Sequence, residues 1–281
     1  MTRIDYLVAS SMGNDYIALI QYMLESGKSF AVVYNDTGWA RDDWPKRVKK
    51  VSAWLLEKGV TLYITKSIGM ADLVRKKKGW PMPASKMQWC TGELKELPTL
   101  ELLEKIDPDG DITVVTGRRR QESQNRADLP QYQTESPKHG GRECWNPLYL
   151  HDVEMRNELL ARAGFDVLPH SSMECYPCCC ANKADLALMD EAGIAKVEAL
   201  ELELGFTRKG KPRVMFRPYR IGGAVGIRQA VEWGKGPRGW KSQFVPAEYI
   251  FHGHGTDGLH DERYDADSPE ARQCDGGFCG S

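Results

Sequence analysis

The sequence predicts an α/β protein built on an open, doubly wound parallel sheet with helices on both faces. Short β-branched runs alternate with helix-length amphipathic segments, the spacing that parallel strands joined by helical crossovers require. Three of those runs also end in small or polar residues, as strands do where an α/β sheet presents its carboxyl edge to a ligand. In order, "DYLVAS" is the first strand and "YIALIQYMLES" the first helix. "SFAVVYND" then precedes the helical "DDWPKRVKKVSAWLLEKG", and "TLYITK" and "DITVVTG" are the next strands. The polar ends are Ser10-Ser11, Asn35-Asp36-Thr37 and Thr116-Gly117. If the first and fourth strands are neighbours across the reversal of strand order, the Ser10 turn and the Gly117 loop face each other.

Residues 128–146, rich in Gly, Pro and His, read as a long surface loop. "HDVEMRNELLARAG" follows as a helix started by Asp152 and stopped by Gly164. "KADLALMDEAG" and "IAKVEALELEL" are two further helices, "TRKGKP" a basic turn, and "IGGAVGIRQAVEWG" a helix interrupted by glycines. The expected organisation is a nucleotide-binding domain over 1–190, a helical extension over 191–251 and a mobile tail over 252–281 that carries two cysteines.

The 281 residues hold 38 Lys and Arg against 39 Asp and Glu, so any contact with a polyanion must be local. No stretch approaches the roughly 20 apolar residues that span a bilayer, so no membrane contact is expected. A cytoplasmic enzyme is the expectation. Eight cysteines in such a chain point to metal or redox chemistry.

Five constellations carry chemistry. "SSMGNDYIAL" is a strand-to-helix turn whose N–H groups near Gly13 and Asp15, with the Ser10 and Ser11 hydroxyls, suit an anion. Asp36 and Thr37 in "YNDTGW" end a strand, where they can hold a ribose, a metal ion or an amino group. "TGRRRQES" sets Arg118 and its neighbours at a strand end as an anion clamp, with Glu122 placed to orient one guanidinium and Arg126 following. Cys175 and Cys178 form a Cys-x-x-Cys pair continued by Cys179 and Cys180, with Cys90 and Cys144 upstream, a set able to hold an iron–sulfur cluster or zinc. Cys274 and Cys279 in the tail are thiols for nucleophilic or redox work.

Taken in order, these motifs resemble the phosphoadenosine-phosphosulfate (PAPS) reductase family of the PP-loop ATP pyrophosphatase superfamily. "SSMGNDYIAL" looks like its Ser-x-Gly-x-Asp-Ser phosphate loop and "VVYNDTGW" like its strand ending in Asp-Thr-Gly. "WCTGELKELPTLELL" is similar to its Cys-, Lys- and Pro-bearing segment, "TGRRRQESQNRA" to its Gly-x-Arg-x-x-Glu-Ser-x-x-Arg signature, and "ECYPC" to its Gly-Cys-x-Pro-Cys element.

The resemblance implies an adenine-nucleotide α-hydrolase-like fold with a five-stranded parallel sheet. It places Ser10, Ser11, Gly13 and Asp15 at the phosphate or sulfate end of an adenine nucleotide, Asp36 and Thr37 near the nucleotide, and Gly117, Arg118, Glu122 and Arg126 around the site. Cys90, Cys175, Cys178 and Cys179 are the implied ligands of a 4Fe-4S cluster, with Cys180 and Cys144 as alternatives for the fourth; Trp89-Cys90 stands where the family has Cys-Cys. The tail "FCG" is similar to the segment bearing the reductases' catalytic thiol, which makes Cys279 the candidate nucleophile beside Arg118 and Asp15. Asn14 and Tyr16 depart from the family loop, which commonly has Lys or Gly at the first position and Ser at the second.

Two activities follow as expectations. One is thiol-dependent reduction of adenylylated sulfate, APS or PAPS, to sulfite with a thioredoxin-like reductant. The other is a Mg-ATP pyrophosphatase that adenylates a nucleic acid for sulfur insertion, served by a cysteine desulfurase; "VRKKKGW", "TRKGKPRVMFRPYR" and "KGPRGWK" are its basic stretches. A third, non-enzymatic reading is a nucleotide sensor or assembly subunit. A homo-oligomer is the expected assembly.

Overall fold

The computed structural model describes residues 3–82, 88–122, 124–169, 173–216 and 226–236. Along the chain run β1 (Tyr6–Ser10), α1 (Asn14–Glu25), β2 (Phe30–Asp36), α2 (Trp44–Glu57), β3 (Thr61–Lys66) and α3 (Met70–Lys77). Next come α4 (Trp89–Thr91), a π turn (Gly92–Glu96), α5 (Leu97–Ile106), β4 (Thr113–Val115) and α6 (Gln124–Ala127). β5 (Tyr132–Gln133), β6 (Cys144–Trp145), α7 (Val153–Arg162), α8 (Lys183–Ala187), α9 (Glu191–Leu204) and α10 (Ile227–Lys235) follow, with short 3-10 turns at Arg120–Glu122 and Pro137–His139. The described residues fall into two compact units, one within 3–70 and 89–175, the other within 71–88 and 176–236.

The first unit holds the sheet, in the order β3-β2-β1-β4-β6-β5. β1 pairs in parallel with both β2 and β4, which sets the reversal of strand order at β1 and makes the first and fourth strands neighbours as expected. Five strands are parallel, β6 supplying the fifth through Val114↔Cys144 and Val115↔Trp145. The expected count of five is corrected to six by β5, which pairs antiparallel to β6 at the edge. Both β5 and β6 lie in the stretch expected to be loop; two-residue strands show no alternation, and only the pairing of β6 with β4 and of β5 with β6 reveals them.

Alternation along β1 sorts the core. Val8 packs with Ile17, Leu19 and Ile20 of α1, Val51 and Leu55 of α2, and Leu159 and Leu160 of α7 on one face. Leu7 and Ala9 pack with Ala31, Val33, Val114 and Leu103 of α5 on the other. Each fully buried aliphatic side chain contributes about 1.5–3 kcal/mol, and a strand buried on both faces has no polar alternation to show. The π turn before α5 has a local cause. Pro98 lacks an N–H and its ring crowds the carbonyl four residues back, and the ladder slips so that the Leu97 N–H reaches Gly92 O.

In the second unit α8 and α10 touch backbone to backbone at Gly234, where an added Cβ would lie 2.9 Å from Ala187 N and 3.0 Å from Lys183 O. That approach explains a glycine inside a helix. The stretch read as one helix, "KADLALMDEAG", is two: α8 ends before Leu188, and Asp190 caps α9 by accepting the Gly193 N–H at 2.9 Å. Tyr176 pins the break, its hydroxyl donating to Leu188 O and accepting from Asp190 N at 2.7 Å.

Candidate anion-binding site and thiol cluster

β1 ends in a turn that Met12 takes through left-handed space, φ 64°, while fully buried. A non-glycine residue there carries strain of about 1–3 kcal/mol, of the kind stored at functional sites. The turn is braced from within and without. Met12 N donates to Ser10 Oγ at 3.0 Å, Gly13 N to Ser11 Oγ at 3.3 Å, and Arg47 Nε of α2 to Met12 O at 2.8 Å. The serine hydroxyls thus accept from the loop itself, and Ser10 Oγ also donates to Met12 Sδ at 3.8 Å. Gly13 caps α1, whose first-turn N–H groups have no partner within the helix.

Asp15, 2% exposed in the first turn of α1, is flanked by two buried guanidiniums. Arg119 Nε lies 2.5 Å from its Oδ1 and Arg156 Nη1, from α7, 3.7 Å from its Oδ2. Arg119 Nε also lies 3.6 Å from Glu122 Oε1, and Glu122 pairs with Arg126 one helical turn on. Arg119 Nη1 is buried without a hydrogen-bond partner among the described residues. Arg118 is buried next to it in sequence; burial pulls its guanidinium below the ordinary value, against the field of Cys144 and Tyr16. Burial likewise lowers Arg156 more than Asp15 raises it, and burial raises Glu96, which faces Arg118. The Arg118 and Arg156 shifts are the mark of cations held out of water. Gly117 lets the Arg loop close on α1, since a Cβ there would meet Asp15 O at 3.4 Å and the Tyr16 ring at 3.5 Å.

At the end of β2 the Asp36 carboxylate accepts the Gly38 N–H at 3.0 Å. Thr37 is buried, with its Oγ1 3.4 Å from Glu174 O and 3.9 Å from Cys175 Sγ. Glu174 in turn lies 3.9 Å from Lys95 Nζ on the π turn, both buried. The structure therefore gathers Ser10, Ser11, Gly13, Asp15, Gly117, Glu122 and Arg126 around α1's start, and sets Asp36, Thr37 and Cys175 at the adjoining strand end. Asn14 and Tyr16 have structural roles. Both amide atoms of Asn14 are spent on the Leu168 backbone, at 3.1 and 3.0 Å, and Tyr16 packs into the core.

In the second unit Cys178, Cys179 and Cys180 place their sulfurs within 4.8 Å of one another. Cys180 N donates to Cys178 Sγ at 3.4 Å and Gln88 Nε2 to Cys180 Sγ at 3.6 Å. Soft donors this close, with N–H groups aimed at the sulfur, fit a thiolate-bound metal. Cys90 and Cys175 belong to the first unit. Cys144 is locked in β6, and burial raises its thiol, which works against the thiolate a metal needs. Cys274 and Cys279 lie outside the described residues.

The model of the phosphoadenosine phosphosulfate reductase domain matches residues 5–177. The chain belongs to that family. Its structure is similar to the phosphate complex of a PAPS reductase from Candida auris at 18% identity, covering 59% of this chain and 76% of that one with a TM-score of 0.40. It is also similar to the FMN adenylyltransferase of Candida glabrata, in complex with FAD and inorganic pyrophosphate, at 12% identity, 56% and 48% coverage and a TM-score of 0.36. None of the curated proteins matches the chain. Within this PAPS reductase domain the arginine against Asp15 is Arg119, a neighbour of the Arg118 that the sequence names for the anion clamp. The spacing Gly117-x-Arg119-x-x-Glu122 was the signal that could have found it. Arg156 carries no local signal, since only the packing of α7 on α1 brings it to Asp15.

Proposed function

We propose that this chain binds the phosphate or sulfate end of an adenine nucleotide at the Ser10–Asp15 turn and reduces an adenylylated sulfate, APS or PAPS, to sulfite. The carrying observation is a buried charge cluster at a helix N-terminus in which the guanidiniums of Arg119, Arg156 and Arg126 share the two carboxylates of Asp15 and Glu122. Buried positive charge in excess of its counter-charge is costly unless an anion completes it. The macrodipole of α1 and the guanidinium forks favour the same ligand, a tetrahedral oxyanion. With the Asn14 amide spent on Leu168, the loop offers backbone and arginine donors but no lysine for a second phosphate, which favours a sulfate over a pyrophosphate.

In this reading Gly117, Arg118, Glu122 and Arg126 complete the clamp and Asp36 and Thr37 lie toward the nucleoside. The Cys279 thiolate attacks the sulfate sulfur, the S–O bond to the nucleotide breaks, and the nucleotide leaves with that electron pair. A second thiolate, from Cys274 or a thioredoxin-like dithiol, then attacks Cys279 Sγ. The disulfide forms and sulfite departs, so two thiols supply the two electrons. Cys178, Cys179 and Cys180 of the second unit are the donors we assign to an iron–sulfur cluster or zinc, a group that would supply positive charge or redox capacity.

The test is sulfite release from APS and PAPS by the full chain with a dithiol reductant. Activity lost in Cys279→Ser supports the reading, and full activity in that variant refutes it. A second reading, a Mg-ATP pyrophosphatase acting with a nucleic-acid acceptor, is favoured by the basic stretches that the second unit joins. Pyrophosphate release stimulated by nucleic acid would be its signature.

A further inference from the structure

The three consecutive cysteines of the second unit stand in a segment anchored at both ends. On one side Tyr176 packs against α9 so closely that a Cβ on Gly193 would lie 2.4 Å from its Cε1, and its hydroxyl is bound to Leu188 O and Asp190 N. On the other, Asn182 opens α8 with a capping box: its side chain accepts the Ala184 and Asp185 N–H groups at 2.8 and 3.0 Å, and its own N–H donates to Asp185 Oδ2 at 3.1 Å. Between these anchors Ala181 N closes a turn on Cys178 O at 3.0 Å. Three donors from three adjacent residues on a turn already fixed in this way cost little further ordering of the chain.

The sulfur spacing bears on how many metal ions the triad holds. A four-iron cluster takes one thiolate on each of four irons, so its ligand sulfurs are spread over separate metals. Two thiolates on one zinc ion, with bonds of about 2.3 Å at the tetrahedral angle, lie about 3.8 Å apart. Cys179 Sγ is 3.8 Å from Cys180 Sγ, and all three sulfurs of the triad lie within 4.8 Å of one another. Cys178 and Cys179 are buried, and the N–H groups of Cys180 and Gln88 donate to Cys178 Sγ and Cys180 Sγ at 3.4 and 3.6 Å. Such donors favour the thiolate over the thiol and orient it. Thiolates this close repel one another unless a cation lies among them.

We infer that Cys178, Cys179 and Cys180 bind one zinc ion, with Gln88 as a positioning residue on Cys180, in place of the four-iron cluster that the sequence motifs imply. The inference rests on the thiol assignment made above and narrows it; three thiolates leave the fourth tetrahedral position to water or a further donor. Metal and acid-labile sulfide analysis tests it, on the full chain purified without oxygen from cells supplied with both iron and zinc. About one zinc per chain without sulfide is expected, and cobalt(II) in its place should give the thiolate charge-transfer band of a tetrahedral site. Removing zinc with a chelator should lower the unfolding midpoint, and adding it back should restore it. Cys179→Ser/Cys180→Ser should lose the ion, while Cys90→Ser/Cys175→Ser should keep it. Gln88→Leu, which leaves all three ligands in place, should weaken zinc in a chelator competition about ten-fold with the metal count at saturation unchanged. The metal count does not depend on sulfite release, so failure of this site and failure of the proposed reaction read out separately. Iron with matching sulfide in place of zinc, no bound metal, zinc retained by Cys179→Ser/Cys180→Ser, or zinc lost from Cys90→Ser/Cys175→Ser would each overturn it.

Discussion

Asp15 is the residue on which the candidate site turns. Its carboxylate is shared by the two buried guanidiniums of Arg119 and Arg156, so removing it should do more than delete a hydrogen bond. Asp15→Ala leaves Arg156 without its buried carboxylate and Arg119 with Glu122 at 3.6 Å, at a cost of about 3–5 kcal/mol. The expected outcome is a large fall in the unfolding midpoint, recovered in part by millimolar sulfate, and thermal denaturation with and without sulfate checks it. At this scale the sequence disclosed residue types better than residue numbers. The Ser-x-Gly-x-Asp turn was legible because strand, glycine and helix start are adjacent in the chain. Arg118 and Arg119 are neighbours on a loop, and only the folded path of that loop decides which reaches Asp15. Asn14 and Tyr16 looked like losses in a phosphate loop, but their partners, the Leu168 backbone and the core, are long-range and invisible in a motif.

Among the elements, α9 carries a titrating clamp. Burial pushes the Glu201 carboxyl up from 4.5 to about 7, against the pull of the Met215 and Ile227 N–H groups, which donate to it at 2.9 Å. The folded state therefore holds the proton more tightly than the unfolded chain. The resulting stability is fully present below 4.5 and is lost as pH rises toward about 7. The midpoint of the second unit should fall across that window. Glu201→Gln, which cannot ionise, should flatten the fall while losing about 1 kcal/mol at every pH for the N–H that an amide nitrogen cannot accept. Circular dichroism melts from acid to neutral pH measure both effects. Long periodic elements such as α1, α2 and α7 were legible, and so was the Asp152 cap, which accepts the Met155 N–H at 2.8 Å. The break between α8 and α9 was not, because apolar spacing runs on through "LALMDEAG" and the stop is imposed by Tyr176 from outside. β5 and β6 were hidden for a related reason: their pairing partner, not their composition, makes them strands.

At the scale of the molecule, one unit holds a doubly wound sheet with an anion-ready turn at its carboxyl edge, and the other holds clustered thiols. Among the described residues no helix is long and apolar enough to cross a membrane. The fold class was readable because crossover spacing and buried strands are properties of whole segments, and the family because five motifs stand in one order. The division into units was not readable, since α3 leaves the sheet unit to join residues a hundred positions downstream. The most direct test of the account is calorimetric titration of APS, PAPS and ATP into the full chain and into Arg119→Lys. A lysine keeps the charge but loses the fork, so the account predicts that adenylylated sulfate binds the parent and is weakened about ten-fold or more in the variant, with the fold unchanged. Equal affinity in the two proteins, or no affinity of the parent for any of the three nucleotides, would contradict it.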